Sequence, residues 1–426
     1  MKPKYDITIL MCLFENDPSG SEPVSIEKKP GKLVQRVLLS VAHAIIRSRS
    51  RIKIERNDTV GLKPPYLILA NHVTNWDPLY INCYVDEPIS FVAGASLFRN
   101  PMLAKLLNYT GAIPKTKYKN DTRTIRGMLK AKQHGRVIGL FPEGNRNWDG
   151  TTEPLIFSTA KLVKLLDLPV VVATISGGHL SFPRWAESHR RGPIRLSLVK
   201  KWEAGTFTNH TPEQIHEMLT EALAHDDAEW QSHTGAAYYG KAPAHYLERL
   251  LFICPHCEAP GHLRSEQDLF GCTDCGYTVR YTHQGKLAPF THSLRFSTTR
   301  DWNRWQLKRL EQAIQEPGHL AIWEQVMRDP VHLYVSEGEL PFQSLGTGQL
   351  QWSADQEAAL SFQGERGQTY SFPFAELEGL NVQLHHKFEF YLGDKLYRFL
   401  FYQPRTSAYK WLKFITALVQ RTPRLN

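Results

Sequence analysis

His72 and Asp77 stand at the spacing His-x4-Asp in the run Asn71-His72-Val73-Thr74-Asn75-Trp76-Asp77. An imidazole titrates near neutral pH, so it can take the proton of an attacking hydroxyl. A carboxylate on its second ring nitrogen sets the tautomer and stabilises the imidazolium. On one continuous helix, side chains at this spacing diverge by roughly 140°. The pair therefore works only if His72 precedes a helix and Asp77, in its first turn, reaches back. The motif alone is weak, because a chain with 18 histidines holds about one such match by chance.

A second segment, Phe141-Pro142-Glu143-Gly144-Asn145-Arg146, follows an apolar run, as Asn71 does. Gly144 allows an unusual backbone angle or a close approach. Glu143 can accept hydrogen bonds from a polyol, and Arg146 can hold a phosphate. An ordinary turn with a surface ion pair is the bland alternative. The chain has no Gly-x-Ser-x-Gly elbow, which argues for direct attack by the hydroxyl rather than a covalent serine intermediate.

A third segment pairs Cys254 and Cys257 with Cys272 and Cys275. Two Cys-x2-Cys knuckles at this separation suit a tetrahedral zinc with four thiolates, and such a site has no open position, so its role is structural. Six cysteines in so long a chain, with Cys12 and Cys83 standing alone, point to a reducing compartment rather than a disulfide framework.

These residues need a scaffold of several domains, because 426 residues exceed one ordinary core. Hydrophobic residues at 42% and charged residues at 22% fit a globular chain and exclude a disordered one. A net charge of +9 and a pI near 9.1 favour acidic partners: phosphate-bearing substrates, anionic lipid or nucleic acid. No stretch of about 18 apolar residues is present, so no transmembrane helix is expected. The short apolar run Ile7 to Phe14 lacks a small-residue cleavage site, so no signal peptide is expected.

Periodicity predicts a helix over 33–48 with basic residues at both ends, suited either to a core or to an anionic lipid surface. From 66 to about 226, strands (66–70, 136–141, 169–175) alternate with helices (from Asn100-Pro101, from Asp121 to Gly135, 158–166, and from a capping box at Thr211). That alternation predicts an α/β layer architecture. Residues 300–327 look helical. Seven strand-like runs between 331 and 402 and a closing helix at 407–419 predict a β-rich, barrel-like domain, with Trp411, Leu412, Phe414, Ile415 and Leu418 plugging one end.

Together the first two segments resemble the signature of the glycerolipid acyltransferase family, which includes 1-acylglycerol-3-phosphate O-acyltransferases. Leu97-Phe98-Arg99-Asn100-Pro101 and Gly111-Ala112-Ile113-Pro114-Lys115-Thr116-Lys117 are similar to its intermediate block, and the resemblance covers roughly residues 33–225. It implies that His72 is the base and Asp77 its partner. It also implies that Glu143, Gly144, Arg146, Lys117 and Arg99 bind substrate. Lys117 stands where the family usually has an arginine, and Asn145 replaces its threonine. The donor implied is acyl-CoA or acyl-carrier protein, the acceptor a glycerophosphate or lysophospholipid hydroxyl, and the reaction needs no metal. Residues 250–285 resemble a zinc ribbon, and 331–426 are similar in pattern to a pleckstrin-homology domain.

The expected division is an irregular segment at 1–30, an acyltransferase domain at 31–245, the ribbon at 250–285, a helical linker at 286–330 and the β-rich domain at 331–426. The expected protein is a membrane-associated enzyme, cytoplasmic and peripheral at the inner membrane surface. Two other functions compete: a non-catalytic lipid-binding adaptor, and a nucleic-acid binder built on the ribbon. The ribbon lacks a dense basic-aromatic stripe, which argues against the latter.

Overall fold

The computed structural model describes residues 26–27, 31–99, 101–115, 122–316, 320–338, 340–356 and 358–421. The expected irregular segment at 1–30 lies almost wholly outside them, as do Asn100, Asp121, Lys117 and Cys12. The described chain divides into two compact units. The first holds the residues up to Ser181 and Arg191–Ala236; the second holds Phe182–Arg190 and the chain from Ala237 onward.

The first unit is a seven-stranded sheet between helices. Its strands are β1 (Arg51–Asn57), β2 (Leu67–Ala70), β3 (Ile89–Gly94), β4 (Ile113–Lys115), β5 (Val137–Leu140), β6 (Val170–Ser176) and β7 (Pro193–Trp202), in the order β1-β7-β6-β2-β5-β3-β4. Strands β6, β2, β5, β3 and β4 run parallel, β7 runs antiparallel to β6, and β1 pairs parallel with β7.

The helices are α1 (Lys32–Arg49), α2 (Asp77–Asn82), α3 (Pro101–Thr110), α4 (Thr122–Gln133), α5 (Ser158–Leu166), α6 (Gly178–Ser181), α7 (Pro212–Leu223) and α8 (Asp227–Thr234). Successive strand side chains point to opposite faces. Leu67 and Leu69 thus join one core with Met128, Val163 and Leu219, while Ile68 and Ala70 join the other with Ile46, Tyr80 and Ile81. Burial on both faces explains why β2, β5 and β6 read as unbroken apolar runs. At Thr211 both hydrogen bonds of the capping box are made.

The second unit holds two antiparallel sheets. The smaller, in the order β11-β10-β9-β8, comprises β8 (Leu263–Glu266), β9 (Leu269–Cys272), β10 (Thr278–Tyr281) and β11 (Leu287–Pro289). The larger comprises β12 (Arg328–Glu337), β13 (Gln343–Gln351), β14 (Ala359–Gly364), β15 (Thr369–Pro373), β16 (Leu377–Gln383), β17 (Lys387–Leu392) and β18 (Lys395–Phe401). Its order is β15-β14-β13-β12-β18-β17-β16. A meander of four strands thus joins a meander of three through the β12–β18 pair. The terminal helix α11 (Ala408–Arg421) buries Trp411, Phe414, Ile415 and Leu418 of the residues expected to plug the sheet, and leaves Leu412 half-buried.

Residues 286–330, expected as a linker, are packed elements of this unit. They carry α9 (Thr299–Gln315) and α10 (Leu320–Val326), which bury Trp302, Leu310, Ile314 and Trp323. Trp302 Nε1 donates to the carbonyl of Ile253 at 2.9 Å, and Gln306 bonds the backbone of Phe252 and Leu250 at 2.8 Å each. A spacer exposed to water has no use for such buried tryptophans.

Candidate functional site

Strand β2 ends at Ala70, and the chain then turns through Asn71 to Trp76 into α2. Asn71 pins this turn to the sheet: its amide donates to the carbonyl of Ile175 at 3.0 Å and accepts from the Ile175 N–H at 2.8 Å. Asp77 opens α2, with Pro78 following. Its carboxylate is fully buried and reaches back to four donors. Oδ2 lies 2.8 Å from Nδ1 of His72 and accepts from the N–H groups of Val73 and Thr74, and Oδ1 accepts from the Thr74 hydroxyl. The Cβ of a residue in the first turn of a helix points toward the helix N-terminus, which is why a carboxylate at this position can span the turn.

The second segment leaves β5 one strand away. Phe141 stacks on the His72 ring with centroids 4.2 Å apart, and Phe91 stacks on Phe141. With Nδ1 held by Asp77 and the ring fixed on Phe141, proton transfer falls to Nε2. The His72 side chain is 20% exposed, so solvent or substrate reaches it while Asp77 stays dry.

Glu143, expected to accept hydrogen bonds from a polyol, meets backbone N–H groups with both carboxylate oxygens. Its Oε1 accepts from the His72 N–H at 2.6 Å and its Oε2 from the Glu153 N–H at 2.8 Å. Burial pushes this carboxyl well above its usual range, against the pull of those two bonds. Glu143 is thus a brace that ties the His72 backbone to the next loop. Gly144 has φ +68°, and a Cβ there would lie 2.6 Å from Cδ1 of Ile156. Arg146 is 8% exposed, and burial lowers its guanidinium to about 10, with the charge of Asp77 opposing the shift. It still carries its positive charge at neutral pH. The side chain of Arg99 and all of Lys117 fall outside the described residues.

Sequence reasoning passed over two features here. Asn147 is 1% exposed, its N–H donates to the His72 carbonyl at 2.9 Å, and its amide has no hydrogen-bond partner among the described residues. A second His–Asp pair lies beyond β6: His225 Nε2 sits 2.8 Å from Oδ1 of the buried Asp227, which also accepts from the N–H groups of Gly177 and His179. Its close spacing, two residues apart at a helix start, carries no signal in the linear pattern.

In the second unit the four cysteine sulfurs lie within 4.8 Å of one another. Sγ of Cys254 is 3.7 Å from that of Cys275, and Sγ of Cys257 is 3.8 Å from that of Cys272. Four thiolates about 2.3 Å from a tetrahedral zinc stand about 3.8 Å apart, so the cluster is compatible with a structural zinc site. No disulfide links them.

Comparisons with known proteins find similarity over the segments that hold His72, Asp77 and Glu143. Residues 51–176 match the family model "Acyltransferase". Similarity extends to the 1-acyl-sn-glycerol-3-phosphate acyltransferase of Borreliella burgdorferi, 31% identical over 24% of this chain and 42% of that protein. The chain thus spans less than half the length of that relative. Proteins of the same name from Bacillus subtilis and Saccharomyces cerevisiae are 20% and 25% identical, over 42% and 37% of this chain and 87% and 57% of theirs. Among solved structures, the 1-acyl-sn-glycerophosphate (LPA) acyltransferase PlsC from Thermotoga maritima aligns with a TM-score of 0.38 and 16% identity, over 51% of this chain and 85% of its own. Residues 51–176, at the centre of the α/β unit, are thus similar to acyltransferases.

Proposed function

We propose that the protein is an O-acyltransferase that moves a fatty acyl group from a thioester, on coenzyme A or acyl-carrier protein, to a hydroxyl of a glycerophosphate or lysophospholipid. The observation that carries this reading is the contact of His72 Nδ1 with Asp77 at 2.8 Å inside the matched residues. Asp77 holds the proton on Nδ1, so Nε2 accepts the proton of the acceptor hydroxyl. The hydroxyl oxygen then bonds to the thioester carbonyl carbon. The tetrahedral intermediate collapses with cleavage of the C–S bond, and the imidazolium returns its proton to the departing thiolate. Arg146, Lys117 and Arg99 supply positive charge toward the acceptor's phosphate, and Glu143 keeps the His72 backbone in place.

The same reading puts the enzyme at the cytoplasmic face of the membrane. No helix among the described residues is long and apolar enough to cross a bilayer. Helix α1 leaves Leu33 76% exposed, with Val34, Arg36 and Val37 exposed beside it, a composition that suits an anionic lipid interface. The larger sheet of the second unit, two meanders closed by a C-terminal helix, supports a pleckstrin-homology-like, lipid-facing role. One structural zinc holds the ribbon.

The test is transfer from labelled acyl-CoA and acyl-carrier protein to a panel of lysophospholipids and glycerol 3-phosphate. His72→Ala is expected to lower kcat by about 10²- to 10⁴-fold. Equal turnover by the variant would reject the mechanism, and lipid binding without turnover on every acceptor would favour the adaptor.

A further inference from the structure

We propose that the second unit holds a separate binding cleft for a phosphate monoester, formed where the ribbon, α10 and the entry to α11 meet. The cleft has a volume of about 390 Å³, room for a phosphorylated group of glycerophosphate size. It shares no residue with the His72 cluster. Its walls are the turn Gly261–Arg264, the end of α10 running into β12, and the segment from Gln403 to Lys410.

The charges on these walls do not cancel. Arg405 is paired with Glu248, and Lys410 lies 3.0 Å from Asp329, so two cations are matched by two carboxylates. Arg264 and Arg328 remain. Arg264 donates to the carbonyls of Gly261 and Leu263, which carry no net charge. The Arg328 guanidinium has no hydrogen-bond or carboxylate partner among the described residues.

These two arginines come from different walls and line one space. The third contribution is the start of α11: Thr406 and Ser407 line the cleft, and the first turn of that helix has no acidic residue to offset its positive dipole end. The Ser407 hydroxyl is already used, accepting from the Lys410 N–H and donating to the Arg249 carbonyl.

Positive charge from three directions favours phosphate over carboxylate. A carboxylate offers two coplanar oxygens and saturates one guanidinium fork. A phosphate monoester offers three terminal oxygens in a tetrahedral array and close to two charges, so it can face both arginines and the helix end together. A soluble glycerophosphate and a phosphatidate headgroup both present this group.

The experiment uses the purified full-length protein with two probes: calorimetric titration of glycerol 3-phosphate, and co-sedimentation with phosphatidylcholine vesicles with and without phosphatidate. The variants are R264E/R328E, the milder R264Q/R328Q, and K395E as an exposed-charge control on a distant hairpin, each checked by thermal unfolding. The expected result is at least a tenfold loss of affinity in one arm for both arginine double variants, with K395E binding like the parent. Loss in the titration identifies a soluble ligand, and loss only on phosphatidate vesicles identifies a headgroup. Unchanged binding in both arms by R264Q/R328Q, equal loss in K395E, or no binding by the parent overturns the proposal. If acyl transfer fails while this pattern holds, the proposed enzyme activity is wrong and the cleft stands.

Discussion

The backbone N–H of His72 donates to Oε1 of Glu143 across 2.6 Å, joining two segments 71 residues apart in the chain. Replacing Glu143 with Gln keeps the shape but turns an NH2 group toward one of the two N–H donors it serves. The expected cost is about 1–3 kcal/mol in urea unfolding. Burial raises the Glu143 carboxyl in the folded state, so its contribution to stability is full below about pH 4.5 and is lost as pH rises through the folded value. Glu143→Gln has no such titration. The stability gap between parent and variant should therefore narrow from acid to neutral pH; a gap that widens contradicts this account.

Gly144→Ala meets two obstacles that can be separated. One is the left-handed backbone at φ +68°, worth about 1–2 kcal/mol for a residue with a Cβ. The other is the 2.6 Å approach to Cδ1 of Ile156. Ile156→Val removes that methyl. On the Ile156→Val background Gly144→Ala should cost less than in the parent, and the remainder should be the backbone penalty. Equal costs on both backgrounds would show that the side chain of Ile156 yields freely.

His225 and Asp227 make stability depend on pH from both sides. Burial works against the charged ring of His225, but the hydrogen bond and charge of Asp227 outweigh it and raise the histidine. Burial likewise works against the Asp227 carboxylate, and His225 outweighs it and lowers the acid. The raised histidine stabilises fully below about pH 6.5 and loses that contribution as pH rises through its folded value. The lowered aspartate stabilises above about pH 3.8 and loses its contribution as pH falls. In Asp227→Asn the decline above pH 6.5 should disappear, with a general loss of about 3–5 kcal/mol for a buried cation deprived of its partner. A melting profile with the same pH slope as the parent would remove this pair from the explanation.

Metal analysis should find one zinc per chain. Chelation, or Cys272→Ser, should raise amide hydrogen exchange through residues 254–281 and leave the protection of β2, β5 and β6 intact, because the thiolate cluster lies in the other unit. Exchange in the ribbon that ignores the chelator would show that the four thiols hold no metal.

What could be read without coordinates follows burial. β2, β5 and β6 are covered on both faces, so their apolar runs stand out. β1, β3 and β7 were not singled out. β1 lies at the sheet edge, alternating Ile52 and Ile54 with exposed charges, and begins as α1 ends. β7 opens on Pro193 and carries Arg195 and Lys200 on its open positions. The candidate base, its carboxylate and the four cysteines were legible because each function demands particular residue types at short, constrained spacings. The work of Glu143 was not, because its partners are backbone N–H groups, and every residue but proline has one.

From residue order came the chemistry on offer: an imidazole with a carboxylate at a spacing that needs a turn, an arginine beyond a glycine, four thiols in two pairs, and a β-rich end closed by a helix. Folding decided which of these meet. Parallel pairing of β2 with β5 sets the ends of two distant segments side by side, so that Phe141 stacks on His72 and Glu143 grips its backbone. Such proximity depends on strand register and on which faces are buried, and these are properties of the whole packed sheet rather than of any stretch of chain.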